Sequence, residues 1–411
     1  MHTLLLALIA LAFVLIVVED MIHLNKAKST LFLGTLVWIL AFVFPEHDVE
    51  QIKEGLNENL LEIATLWLFL MAAMTFVAYL NEKGLITQLV YRLLPSQIKL
   101  RTLMILVAML GLLFSSLADN ITASLIMLSL LSTLKLEPKQ TLKFAALIVF
   151  SVNSGGVSLI TGDVTTLMIF LADKVTITNL FLLIAPAVFG VLLLAVFLMG
   201  GINEEVTLPK FNRPIAFGDK LIALLFLLTI TGTLFMSVAF SVPPVLTFLF
   251  GLSVMFLTHR VLYRSETKPN VLDYVREVEF DTLLFFLGVL LLVGMLKELS
   301  VLDFLPQLYE VMPVYVANYV VGILSALVDN VPLTAAILKS GIEMDAANWL
   351  GFTYAVGVGG SLLIIGSAAG VIALSKLSEL SFVSYLRFFH WLLLAYTAGY
   401  VGVLAIAKLA T

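Results

Sequence analysis

The 411-residue chain contains no cysteine, which excludes structural disulfides, thiol catalysis and Cys-ligated metal centres. Charge is scarce as well: 12% of residues are Asp, Glu, Lys or Arg, where an ordinary soluble domain carries about 25%. A net charge of −5 without a basic cluster argues against nucleic acid as a partner. No P-loop motif is present to cradle ATP phosphates. What the chain has in excess is apolar surface: 61% of its residues are hydrophobic, more than a globule of this length can hide. A soluble enzyme and a disordered chain are both excluded. The composition is that of an all-α polytopic membrane protein.

A helical span needs about 20 mainly apolar residues. Such segments lie near 3–18, 29–44, 60–80, 102–134, 141–171, 179–200, 220–240, 245–259, 279–297, 314–340, 346–375 and 389–408. The first has no preceding Lys or Arg and no small-residue cleavage site, so it reads as a retained helix rather than a signal peptide. Cytoplasmic flanks are enriched in Lys and Arg. Loops around 26–28, 83–101, 135–143, 210–220, 260–276 and 376–387, placed on one side, gather 18 of the 23 basic residues. The acidic stretch 46–59 then falls opposite, with both termini external. This arrangement requires 102–134 and 314–340 each to enter and leave on the same face. Both are therefore predicted to be re-entrant hairpins.

Each hairpin breaks at a polar knot. Ser115-Ser116-Leu117-Ala118-Asp119-Asn120 interrupts the first, and Ser325-Ala326-Leu327-Val328-Asp329-Asn330 the second. Asp, Asn and Ser compete for backbone hydrogen bonds and favour caps and turns. Non-helical backbone at membrane depth is tolerated only against protein or a watery cavity. The knots belong to a longer duplication: 115–122 matches 325–332 at four of eight positions. GGVSLITGD at 155–163 matches GGSLLIIGS at 359–367 at five of nine, and EIATLWLFL at 62–70 matches EFDTLLFFL at 279–287 at five of nine. Three matches in one order indicate a repeat. Five full spans separate the hairpins, and an odd number inverts the second copy. The predicted division is 1–58 as N-terminal scaffold helices, 59–200 as the first repeat, 201–278 as a loop with two scaffold spans, and 279–411 as the second repeat. Inverted repeats with helices interrupted at mid-membrane are a common build of secondary transporters. Without a site for ATP, an ion gradient supplies the energy.

The repeats offer Ser115, Ser116, Asp119, Asn120 and Thr122 in the first hairpin, and Asn153, Ser154, Ser158, Thr161, Asp163, Thr165 and Thr166 in the interrupted span. The second half supplies Ser325, Asp329, Asn330, Thr334, Ser361 and Ser367. Asp163 is replaced there by Ser367, and Asn153 by Gly357. An Asp within the membrane costs roughly 2.5–3.5 kcal/mol on insertion scales, so a cluster of three has a use. Hard cations such as Na⁺ or Li⁺ take several oxygen ligands, which carboxylates, amides, hydroxyls and freed carbonyls supply. Desolvated carboxylates also hold protons more readily, so that protons compete with the metal for the same oxygens. A site filled by one or the other, never both, is sufficient for exchange.

Each residue also has a plainer reading. Asp119, Asp163 and Asp329 are candidate helix caps. The Gly pairs 155/156 and 359/360 suit close helix packing, and Thr165, Thr166 and Ser361 suit bonds between helices. Glu62, Glu279 and Asp281 sit at span starts, where an interfacial acid favours the helix dipole. The five histidines, His2, His23, His47, His259 and His390, fall at ends and loops and read as solvated.

SSLADNITASLIM, VNSGGVSLITGDVTTLMI, SALVDNVPLTAAIL and GVGGSLLIIGSAAG together resemble the NhaD-type sodium/proton antiporters of the ion transporter superfamily. The resemblance runs from about 60 to 408. It implies Na⁺(Li⁺)/H⁺ exchange in a bacterial cytoplasmic membrane, with no resident cofactor. It also implies a homodimer of scaffold helices and a mobile domain carrying two opposed hairpins. The family's functional positions fall on Ser115, Asp119, Asn120, Asn153, Asp163, Thr165, Thr166, Ser325, Asp329, Asn330 and Ser361. Of these, Asp119, Asn120, Asp163, Asp329 and Asn330 are the expected ion ligands. The competing reading is an anion transporter of the same superfamily, a sodium/dicarboxylate symporter or an arsenite permease. Fixed carboxylates at both hairpin tips weigh against an anion: like charges a few ångströms apart repel by roughly 4 kcal/mol at an effective dielectric near 20. A channel is disfavoured, since closed hairpins in an inverted repeat suit alternating access.

Overall fold

The computed structural model describes residues 1–17, 25–45, 48–134, 136–208, 214–263 and 271–410. Lys135, Lys210, Arg213, Arg264, Lys268, His23 and His47 lie outside these residues. The N-terminal helices are α1 (His2–Val17), α2 (Lys26–Val43) and α3 (Val49–Glu82). The first broken pairs follow as α4 (Leu100–Leu117), α5 (Asn120–Thr133), α6 (Pro138–Gly156) and α7 (Val164–Leu171). Then come α8 (Ile184–Leu198), α9 (Phe217–Phe240), α10 (Pro244–Leu262) and α11 (Phe280–Glu298). The second set comprises α12 (Val314–Leu324), α13 (Asn330–Lys339), α14 (Ala346–Gly359) and α15 (Ala368–Lys376), before α16 (Phe389–Ala410). Among the described residues eight helices are long and apolar enough to cross a membrane. The chain is an integral membrane protein.

Two details depart from the sequence reading. A short antiparallel ribbon, β1 (Gln97–Lys99) with β2 (Glu205–Thr207), joins two loops, so the fold is helical but not purely so. The described part of the acidic stretch 46–59 is not a loop: α3 begins at Val49, capped by Asp48, whose carboxylate accepts from the Glu50 amide at 3.2 Å. Glu, Gln, Lys and Leu there are good helix formers. The resulting 34-residue helix is about 51 Å long, more than the roughly 30 Å of hydrocarbon it has to cross.

Two packed groups position the site. In the first, α2 and α3 hold α11. A Cβ on Gly34 would stand 2.7 Å from the Gly288 carbonyl oxygen, so only glycine lets these helices approach so closely. Trp38 Nε1 donates to the Leu291 carbonyl at 2.9 Å, Trp67 Nε1 to Leu283 at 2.9 Å, and Asn59 Nδ2 to Leu290 at 3.2 Å. In the second group α4, α5 and α6 pack together, as do α12 and α14, with α16 behind them. Tyr396 and Tyr400 on α16 donate to the Tyr319 and Tyr315 carbonyls of α12 at 3.0 and 2.7 Å. The groups meet where α13 packs on α11 and α7.

Candidate functional site

All four helix breaks lie at the positions of the polar knots and glycine motifs. α4 stops at Leu117, and Asp119 caps α5: its Oδ1 accepts from the Thr122 amide at 2.7 Å and its Oδ2 from the Thr122 hydroxyl at 2.9 Å. α6 stops at Gly156, and Asp163 caps α7, its Oδ2 accepting from the Thr165 hydroxyl at 2.9 Å. Asp329 caps α13 through the Val331 amide at 3.1 Å, and Ser367 caps α15. The breaks are tied to one another. The Asn120 amide donates to the Gly162 carbonyl at 3.1 Å, and the Thr161 hydroxyl to the Ser116 carbonyl at 2.7 Å. Asn330 Nδ2 reaches Asp163 Oδ2 at 3.5 Å, joining the break between α12 and α13 to the break between α6 and α7. Glycine makes this possible: a Cβ on Gly155 would collide with the Leu112 carbonyl, and one on Gly359 with that of Gly322.

The breaks converge on a cavity of about 170 Å³ lined by Asp119, Asn120, Thr161, Gly162, Asp163, Asp329 and Asn330, with Phe69, Met74, Phe285 and Phe286 as apolar wall. All five expected ion ligands are in this lining. The capping and lining readings of the three aspartates are therefore compatible, because a cap oxygen at a helix break also faces the cavity.

The other six expected positions are buried beside the cavity rather than in its lining. Thr165 supports Asp163, and the Thr166 hydroxyl donates to the Gly156 carbonyl at 3.4 Å. Ser325 donates to the Gly322 and Val356 carbonyls at 2.7 and 3.2 Å, and Ser361 to Val358 at 2.5 Å. Asn153 Nδ2 donates to Ser367 Oγ at 2.9 Å. Ser115 Oγ and Asn153 Oδ1, like Ser154 Oγ and Ser158 Oγ, are buried with no hydrogen-bond partner among the described residues.

The lining also contains residues that the sequence reading had put to other uses. Lys26, counted above as a basic flank, places Nζ 3.2 Å from Asp329 Oδ2. Asp281, read as an interfacial acid, is exposed as such an acid would be but also lines the cavity and accepts from Asn25 Nδ2 at 2.7 Å. Pairs 303 and 256 positions apart leave no local signal. His259 is a plain correction: it is buried, packed edge-on against Tyr79 with ring centroids 5.9 Å apart. Among the described residues no three His, Asp or Glu side chains converge as a metal cage. A cation here would instead draw on one or two carboxylates together with amide, hydroxyl and carbonyl oxygens, a donor set suited to a monovalent hard ion.

The family model for citrate transporters, CitMHS, matches residues 4–359. The Na⁺/H⁺ antiporter NhaD of Vibrio cholerae is 31% identical across 96% of this chain and 90% of its own length. The chain belongs to the CitMHS family and groups with the NhaD antiporters. NhaD of Vibrio parahaemolyticus is 33% identical over 84% of this chain and 91% of its own length. Sodium/proton antiporter 2 of Arabidopsis thaliana is 29% identical over 97% and 98%. The similarity to these two NhaD relatives thus extends over most of both chains. These relatives are transporters, not enzymes.

Proposed function

We propose that this protein is a secondary antiporter that exchanges Na⁺, and Li⁺, for H⁺, with the cation bound at Asp119, Asn120, Asp163, Asp329 and Asn330. The observation that carries the reading is the junction of the two halves, where Asn330 meets Asp163 at 3.5 Å on the wall of a cavity that also contains Asp119 and Asp329. The unpartnered buried oxygens of Ser115 and Asn153 support it too, since an unsatisfied buried polar group costs about 1–3 kcal/mol until something bonds it. Metal binding requires deprotonated ligands, so a proton and a sodium ion exclude each other there. The paired helices α4/α5 and α12/α13 serve as opposed re-entrant hairpins of an inverted repeat, and the protein works as a homodimer in a bacterial cytoplasmic membrane with both termini external. In that orientation Asn25 and Asp281, in the cavity lining, lie on the side of the basic loops.

The description of the family model, citrate transport, favours a second reading, anion symport. The lining weighs against it: Asp119, Asp163, Asp281 and Asp329 face a single Lys26, and a tricarboxylate would meet repulsion of roughly 4 kcal/mol per close pair at an effective dielectric near 20. A proteoliposome assay separates the two. With an imposed pH gradient, Na⁺ and Li⁺ should dissipate it, while citrate, succinate and arsenite should not. Gradient loss driven by citrate and not by Na⁺ would overturn the antiport reading.

A further inference from the structure

We infer that Lys26 is a tethered counter-cation that holds Asp329 between transport events, so that a substrate cation binding at the second hairpin tip must displace it; this rests on the exchange reading above. Asp329 has two carboxylate oxygens and two partners. Oδ1 is taken by the Val331 amide at 3.1 Å as the cap of α13, and Oδ2, the oxygen left for an ion, is held by Lys26 Nζ at 3.2 Å. The ammonium also stands over the Phe285 ring, whose centroid lies 4.7 Å away. Asp119, Asp163 and Asp281 line the same cavity, and Lys26 is the one basic residue among its described lining.

Lys26 gains nothing from the dipole of the helix that carries it. It is the first residue of α2, and a cation at a helix N-terminus opposes the macrodipole. The turn is nevertheless pinned in this position. Asn25 Oδ1 accepts from the Ala27 amide at 2.8 Å while its Nδ2 donates to Asp281 Oδ2 at 2.7 Å, so both ends of one side chain hold the backbone under Lys26. α2 in turn is seated on α11 through Gly34 and Gly288. The ammonium is thus anchored on the N-terminal group, whereas Asp329 belongs to the α12/α13 pair. An ion pair across two packed groups neutralises a carboxylate that would otherwise stand desolvated and uncompensated. It also sets a threshold: an ion too weakly attracted to displace a fixed ammonium does not load. Displacement alone is required of Lys26. It acts as a positioning and selectivity residue.

Chemical restoration of the charge tests this on one folded preparation, because the parent chain has no cysteine. Lys26→Cys protein is purified, reconstituted, and modified either with 2-aminoethyl methanethiosulfonate, which restores an ammonium at nearly lysine reach, or with methyl methanethiosulfonate, which leaves the position neutral. Na⁺-driven proton movement is then measured at fixed pH and ionic strength. The neutral adduct, and Lys26→Met beside it, should show a several-fold lower Na⁺ half-saturation than wild type with a smaller change in maximal rate. The ammonium adduct should return toward wild type. In the Asp329→Asn background, direct Na⁺ binding to the two adducts, read by titration calorimetry, should no longer differ between them. Equal half-saturation for the two adducts, or a raised value in the neutral one, overturns the role of Lys26. Wild-type vesicles without any Na⁺-driven proton movement overturn the exchange reading itself, so the two failures are distinguishable.

Discussion

Asn153 Nδ2 donates to Ser367 Oγ at 2.9 Å, and this bond joins two of the positions at which the repeat is least symmetric. Asn153 has Gly357 as its counterpart, and Ser367 has Asp163. The other two members of the set also face each other, since a Cβ on Gly357 would stand 3.5 Å from Asp163 Oδ2. The first interrupted span thus brings the amide and the carboxylate to the junction, and the second brings the hydroxyl and a glycine. The departures from symmetry are matched across the junction: an amide meets a hydroxyl on one side, and a carboxylate meets a glycine on the other.

Asp163 is therefore the informative carboxylate. Asp163→Ser would make the two breaks alike and should weaken Na⁺ binding strongly while sparing expression, because the capping oxygen for the Thr165 amide is retained. Asp119→Asn and Asp329→Asn keep shape but remove charge, and exchange should fall to background in proteoliposomes. Near-wild-type exchange in both of the latter would remove the cation site from these residues.

Competition for shared oxygens makes a pH prediction with a definite sign. A carboxylate must lose its proton before it ligates the metal. The Na⁺ half-saturation should therefore rise as pH falls, while the maximal rate at saturating Na⁺ changes less. A half-saturation that stays level from about one pH unit below to one above the activity midpoint, tenfold either way in proton activity, would point to separate proton and sodium sites.

Opposite access to the two hairpins is tested by labelling. Lys139, beside the first hairpin, and Glu343, beside the second, are exposed. Single cysteines at these positions need no background removal, and a membrane-impermeant maleimide should reach Lys139→Cys from the cytoplasmic side and Glu343→Cys from outside. Labelling of both from one side would exclude the inverted arrangement.

Away from the cavity, Asp219 accepts hydrogen bonds from the buried Tyr79 hydroxyl at 2.6 Å and from Tyr263 at 2.7 Å. Asp219→Leu removes the carboxylate to which both hydroxyls donate, and the loss of a buried acceptor costs about 1–3 kcal/mol. The thermal midpoint of the purified protein should drop, with Na⁺ half-saturation unchanged in the fraction that folds. A shifted half-saturation would tie this cluster to the transport cycle.

The helix breaks were legible because their causes are local. Asp119, Asp163 and Asp329 cap the helix that follows each of them, within three residues along the chain, and glycine runs mark where backbones touch. Hydrophobic length and the scarcity of charge likewise determined that the chain lives in a bilayer, since these are properties of segments and need no fold to be read. What only the tertiary structure decided was which polar groups share one space. The start of α3 was obscured because helix formers and a loop-like acidic composition coincide in 46–59. His259 looked solvated because burial depends on packing by Tyr79, which is remote in sequence. Lys26 looked like a flank marker for the same reason: a single lysine near a span end obeys the rule for cytoplasmic loops, and nothing within a helical turn of it reveals Asp329. Electrostatic partners are chosen by distance in space, and pairing across 303 positions is set by how α2, α11 and α13 pack, which no local pattern encodes.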